Sequence, residues 1–252
     1  MLTNKSSYFL QLTKRFKKAA TANSVILGIL LAIVGGFLDA YTYISRNGVF
    51  ANAQSGNIVL LGVKAAQGQW TEAFLHIPPI VAFILGVAVT ETFKQPRFVS
   101  VLPDTSRIVL LLEIVVLIIV GFLPSSVPNM LVTVTISFVA ALQVSSFRTL
   151  IKWSYNTTMT TGNLRTASQA AYYAIFKRDE NAAYQCLRFT AIILSFLSGA
   201  LLGSISTFNL GTKAVWLASA ILFLAFVILN SESQKKPLKS LISKAFFIKL
   251  IF

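Results

Sequence analysis

The chain has 252 residues, 55% of them hydrophobic and 12% charged, with 22 Lys and Arg against 8 Asp and Glu and a net charge of +14. A soluble domain of this size needs a larger charged surface, and the mean hydropathy of +0.72 assigns the chain to a membrane. The basic residues flank apolar runs instead of forming one patch interleaved with aromatic residues, which argues against nucleic acid, and the single Cys186 excludes a disulfide framework or a Cys-rich metal site.

Residues 1–21 form a basic segment, and residues 5–18 followed by an apolar run look superficially like a signal peptide. No small-residue cleavage site closes the run; Asp39-Ala40-Tyr41 follows, so the segment reads as an uncleaved first transmembrane helix at 22–45. The second span is 72–93, with Pro78-Pro79, and the third is 106–123, broken only by Glu113. The turn Pro124-Ser125-Ser126 leads to a fourth at 127–147, and Phe208-Asn209-Leu210-Gly211 separates a fifth at 184–207 from a sixth at 212–230. Each has about the 20 residues that a bilayer demands. The tail 231–252 is basic and amphipathic, and its part from 237 to 252 is expected to lie on anionic lipid, as are residues 8–18.

Two polar runs interrupt this pattern, Gln54-Ser55-Gly56-Asn57 and Thr160-Thr161-Gly162-Asn163, placed 106 residues apart. Each opens a short helical stretch, 57–68 and 163–176. As helices these reach ~18–21 Å against a hydrocarbon core of ~30 Å, too short to cross. Six spans with a cytoplasmic N-terminus leave 19 of the 22 Lys and Arg inside and only Arg46, Lys64 and Lys213 outside. Two full extra crossings would move the Lys94–Arg107 loop outside, against that bias. The predicted fold is therefore an all-α membrane protein with six transmembrane helices in two inverted three-helix repeats, 22–123 and 127–230. Each repeat carries a short half-helix after its Gly-Asn motif, and both termini are cytoplasmic.

The residues Gly35-Gly36-Phe37-Leu38-Asp39-Ala40-Tyr41 and Gly48-Val49-Phe50-Ala51-Asn52-Ala53-Gln54-Ser55-Gly56-Asn57 closely resemble the signature of the YoaK family of multi-pass membrane proteins. Ala141-Leu142-Gln143, Phe147-Arg148 and the run at 160–163 are similar to that family's second block, and the likeness extends from about 25 to 230. The resemblance implies a bacterial cytoplasmic (inner) membrane location and about six helices, with no settled activity. Where the family often has Asn-Ala after the fourth helix, this chain has Val144-Ser145.

A carboxylate inside an apolar helix costs at least ~2.5 kcal/mol to insert, so Asp39 and Glu113 must be protonated, paired or facing a polar cavity. With His76, the only histidine, they are the candidates for proton coupling. Glycines 56 and 162 permit tight turns, and Ser55, Asn57, Thr161 and Asn163 are expected to cap the ensuing helices. Helix N-termini from opposite faces would then meet near mid-membrane and hold a solute. The expected pathway comprises Asp39, Gln54, Ser55, Gly56, Asn57, Glu113, Gln143, Thr160, Thr161, Gly162 and Asn163. No nucleophile–base pair or metal cluster is present, so no enzyme, cofactor or metal is expected. The leading function is a small-solute or ion transporter; a re-entrant-loop channel and a non-transporting scaffold or assembly factor are the alternatives. The partners are the anionic cytoplasmic leaflet and an unknown solute. Helix dipoles with Arg148 and Arg188 favour an anion, Asp39 and Glu113 a proton or cation.

Overall fold

Ser24 opens the first helix: its Oγ accepts the N–H of Leu27 at 3.2 Å, and α1 runs from Val25 to Ser45. The computed structural model describes residues 24–95, 97, 104–124 and 126–233, so the expected lipid-facing segments at 8–18 and 237–252 lie outside the described residues. After α1 come α2 (Gln54–Ala66), α3 (Trp70–Phe74), α4 (Ile77–Phe93), α5 (Thr105–Phe122) and α6 (Asn129–Ser146). A two-stranded antiparallel ribbon, β1 (Thr149–Leu150) and β2 (Trp153–Ser154), pairs Thr149 with Ser154 and Leu150 with Trp153. It leads to α7 (Thr160–Phe176), α8 (Glu180–Leu210), a 3₁₀ turn at Gly211–Ala214 and α9 (Val215–Ser233).

The all-α membrane class is borne out. Five helical stretches are long and apolar enough to cross a bilayer: Val25–Ser45, Trp70–Phe93, Thr105–Phe122, Asn129–Ser146 and Glu180–Ser231. The last, 52 residues long, contains both segments expected at 184–207 and 212–230. It is broken where Gly211 adopts φ +58°, which leaves α8 and α9 as separate helices. The second stretch is also interrupted, between α3 and α4. His76 precedes α4, and Pro78 and Pro79 sit in its first turn, where a missing N–H breaks no helical bond.

Glycines set the closest helix contacts. A Cβ on Gly36 of α1 would collide with the Phe196 carbonyl of α8, and one on Gly199 or Gly203 with the carbonyls of Ile33 or Phe37. Residue numbers rise together across this contact, so α1 and α8 are parallel. Gly86 of α4 abuts the Phe138 carbonyl of α6, and further along Lys94 Nζ donates to the Ser145 carbonyl at 3.0 Å, so this pair is parallel too. Helices α5 and α9 run antiparallel: Trp216 Nε1 donates to the Ile118 carbonyl at 3.2 Å and Ser219 Oγ to that of Ile114 at 3.3 Å. Taking α2 and α7 as counterparts, exchange of the two halves maps the α1–α8 contact onto α6–α4 and the α5–α9 contact onto itself. Leu31, Phe37, Leu110, Ile136 and Leu222 belong to the central apolar core. Helix α1 is innermost, with 72% of its apolar window buried against 33% for Trp70–Phe93.

Candidate functional site

After α1 the chain reverses. Asn47 (φ 62°) and Gly48 (φ 70°) both take the left-handed conformation that asparagine and glycine tolerate. Residues 49–53 then run back along α1, and its side chains pair with their backbone. Ala51 N–H donates to Thr42 Oγ1 at 3.0 Å, while Asn52 and Ala53 N–H both donate to Asp39 Oδ1, at 2.7 and 3.2 Å. Asn52 Nδ2 donates to the Gly35 carbonyl at 3.2 Å, and Ser137 Oγ of α6 donates to the Ala51 carbonyl at 2.7 Å. Backbone removed from water needs such partners. Gly35 is the midpoint of α1, so α2 begins about 15 Å from either end of that helix.

The second loop also packs on Gly35. A Cβ on Gly35 would stand 2.9 Å from the Thr157 carbonyl oxygen and 3.0 Å from Thr158 Cγ2, two residues before α7 begins. Both Gly-Asn helices therefore start beside the middle of α1.

The two motif asparagines do the same job, and it is not the expected one. Asn57 Oδ1 accepts the Phe50 N–H at 3.0 Å and its Nδ2 donates to the Phe50 carbonyl at 2.8 Å. Asn163 does this to Asn156, with Oδ1 accepting at 3.1 Å and Nδ2 donating at 2.6 Å. The helices start at Gln54 and Thr160, three residues earlier than expected. Their N-cap positions are Ala53 and Met159, without a side-chain cap. Ser55, Asn57, Thr161 and Asn163 are thus inside the first turns, and the capping expected of them is corrected: the asparagines clamp the incoming loop instead.

Between the two helix starts lies a cavity of about 840 Å³. Ser55 and Gly56 line it from the first motif, Thr160, Thr161 and Gly162 from the second, and Asp39 from α1. Asp39 is 5% exposed; its Oδ1 holds the two loop N–H groups and Oδ2 has no hydrogen-bond partner. Among the described residues on the wall Asp39 carries the only formal charge, and Tyr43, Phe50 and Phe196 supply aromatic rings. Gly162 faces open space, with nothing within 4 Å of a Cβ placed on it.

The remaining expected residues stand away from this wall. Gln54 is buried, with Nε2 donating to the Ala51 carbonyl at 2.8 Å and Oε1 accepting from Asn57 Nδ2 at 2.9 Å. Gln143 is buried in α6 with Nε2 unpartnered, and Glu113 is buried in α5 with both oxygens unpartnered. Arg107, at the start of the same helix, pairs with Asp104 at 2.9 Å. His76 is buried with Nδ1 3.3 Å from Asn57 Oδ1. It lines a second cavity of about 410 Å³, beside the Lys64–Glu72 ion pair (2.6 Å) and Tyr43. Tyr43 thus lies on both cavities, stacked on Phe50 with centroids 4.8 Å apart.

Sequence reasoning missed Tyr43, Phe50, Phe196 and Ser204 as wall residues. A signal existed for the first: Gly36, Asp39, Ala40 and Tyr43 are spaced i, i+3, i+4 and i+7, one helix face, and all four line the cavity.

Residues 27–228 match the family described as "Protein of unknown function (DUF1275)", and the chain belongs to that family. It is 23% identical over 211 residues to the UPF0700 transmembrane protein YoaK of Bacillus subtilis (strain 168), an alignment covering 81% of this chain and 93% of that protein. No solved structure matches. The likeness carried by the two motif blocks is therefore borne out, and the protein is a transmembrane protein of unknown function.

Proposed function

We propose that the protein is a transporter of a small solute or ion, coupled to protons through Asp39, with its site in the cavity between α2 and α7. The observation that carries this reading is the convergence of both Gly-Asn motifs and a buried, half-satisfied carboxylate on one cavity of about 840 Å³. That volume is in the range of ligand pockets, roughly 300–1,000 Å³. Irregular backbone at membrane depth is tolerated where protein buries it or where it lines a cavity, and both loops meet this condition.

The reading includes six crossings in two inverted repeats. The end of α1 meets the start of α6, where Arg46 Nη1 donates to Asn129 Oδ1 at 2.9 Å. Counterpart helices α5 and α9 are antiparallel, and the parallel pairs α1–α8 and α4–α6 fit strict alternation of six passes. Alternating access would rock one half against the other about the fixed site. The excess of Lys and Arg favours cytoplasmic termini against an anionic leaflet, and the family resemblance supports a bacterial inner membrane. Of the three cations assigned outside, Arg46 is buried and Lys64 is paired with Glu72, which strengthens the asymmetry.

The test is flux into proteoliposomes that contain a pH-sensitive dye, screened with panels of amines, carboxylates and amino acids. Gly162→Leu adds bulk to the cavity wall at a position where a Cβ meets no neighbour and Asp39→Asn removes its charge, so each should abolish solute-driven proton movement. Undiminished flux in both variants would sink the proposal.

A further inference from the structure

The two ends of the cavity differ in charge. At the α2 end the backbone N–H groups of Asn52 and Ala53 are already taken by Asp39 Oδ1, so the start of that helix is neutralised by a carboxylate. The remaining oxygen of the same side chain, Oδ2, has no partner although the residue is 95% buried (5% exposed). A carboxylate oxygen without a donor in such a place calls for a cationic N–H.

The α7 end is the reverse. As in α2, no side chain caps α7 and no acidic residue stands in its first turn, but the loop before α7 is held by the neutral Asn163 instead of a carboxylate. The first N–H groups of a helix lack intrahelical acceptors and carry partial positive charge. Thr160, Thr161 and Gly162, which provide them, line the cavity, and Gly162 leaves space for close approach. Between the ends the wall is largely apolar, with the rings of Phe50 and Phe196.

We infer that the cavity takes a small zwitterion with an apolar body, an amino-acid-like molecule, with its ammonium on Asp39 and its carboxylate on the N-terminus of α7. This rests on the reading of the cavity as the solute site. A pure anion would leave Asp39 Oδ2 unpaired, and a pure cation would leave the α7 terminus without an acceptor. A zwitterion satisfies both, and the aromatic rings cover its side chain. The hydroxyls of Ser55 and Ser204 on the wall give the polar head further partners.

Three probes that differ by one group each test this on the full chain purified in detergent, by calorimetric binding. They are L-phenylalanine, phenethylamine (no carboxylate) and 3-phenylpropanoate (no ammonium). L-Phenylalanine should bind saturably and each truncated probe about tenfold more weakly or worse, the scale of one charge-assisted hydrogen bond. In Asp39→Asn, L-phenylalanine should fall to the affinity of 3-phenylpropanoate. Should that variant not fold, the wild-type ranking still decides, and Gly162→Leu, whose Cβ meets no neighbour within 4 Å, should abolish binding of all three. Equal binding of phenethylamine or 3-phenylpropanoate overturns the zwitterion; if Gly162→Leu removes that binding, the cavity survives as a solute site. Absence of binding by all three, with vesicle flux of another solute still blocked by Gly162→Leu, likewise overturns only the class. Binding indifferent to Gly162→Leu overturns both readings.

Discussion

Asn57 holds both backbone polar groups of Phe50, accepting its N–H at 3.0 Å and donating to its carbonyl at 2.8 Å. The same seven-residue grip recurs between Asn163 and Asn156, so one side chain in each half fixes the loop that enters its Gly-Asn helix. Neither aspartate nor alanine can both accept and donate there. Asn57→Ala and Asn163→Ala should each lower stability by about 1–3 kcal/mol per backbone group orphaned. For a chain of this size that is a fall in Tm of about 5 °C or more in a thermal melt in detergent. Asn209→Ala, at an exposed site, should change it by less than about 0.5 kcal/mol; equal effects at all three positions would remove the clamp's special role.

Gly199 packs on the carbonyl of Ile33 and Gly36 on that of Phe196, leaving no room for a methyl group between α1 and α8. Gly36→Val and Gly199→Val must separate the two helices and should cost about 1–3 kcal/mol or more, read as lost yield of monodisperse protein and a lower Tm. Gly62→Ala, where nothing lies within 4 Å, should be neutral or slightly stabilising because it adds helix propensity. A tolerated Gly199→Val would show that the contact is looser than described.

Glu113 sets a contrasting expectation. Its two oxygens are buried in α5 with no partner, and the residue is away from the wall of the large cavity. Replacing such a group by an apolar one of similar volume is neutral or stabilising by about 1–4 kcal/mol. Glu113→Leu should therefore keep or raise Tm, and solute-driven flux should persist. A loss of flux with Tm unchanged would bring Glu113 back into the pathway.

Much of the fold was legible because the membrane enforces simple rules. Apolar length predicted most of the crossings, and the doubled Gly-Asn runs pointed to the segments that meet at Gly35. The role of the asparagines was not legible, since a residue that caps and one that clamps seven positions back have the same letters and the same neighbours. The helix starts shifted by three residues for that reason. Glu113 and Gln143 were read as pathway residues from polarity in an apolar run. Which face of α5 or α6 they occupy depends on packing of helices from both halves, and a single run of letters does not encode it.

Tyr43 lines both cavities, of about 840 and 410 Å³, and stacks on Phe50, which lines the larger one and is held by Asn57. Tyr43 is the described residue shared by the chamber beside His76 and the chamber beside Asp39, and the Phe50 ring backs it. Phe50→Ala should join them, since the backbone bonds to Asn57 do not involve the ring. In proteoliposomes this variant should raise uncoupled leak of small solutes severalfold and should relax discrimination by size. Unchanged leak in a correctly folded Phe50→Ala protein would mean that another group separates the two.

The loop after α4 decides between the proposed six passes and eight. Gln95 follows Lys94, whose Nζ is bonded to Glu91 and to the Ser145 carbonyl, so the end of α4 and the end of α6 share one side of the protein. Were α2 and α7 full crossings, that side would be external and would carry Lys94, Arg97, Arg148 and Lys152 against the positive-inside bias. On a Cys186→Ser background, a cysteine at Gln95 should react with a membrane-impermeant maleimide only after the cells are opened. A cysteine at Lys213, in the turn between α8 and α9, should react in intact cells. Reaction of both cysteines in intact cells would demand eight crossings, and α2 at 13 residues would then have to span a core that needs about 20; the reverse pattern would invert the six-pass orientation.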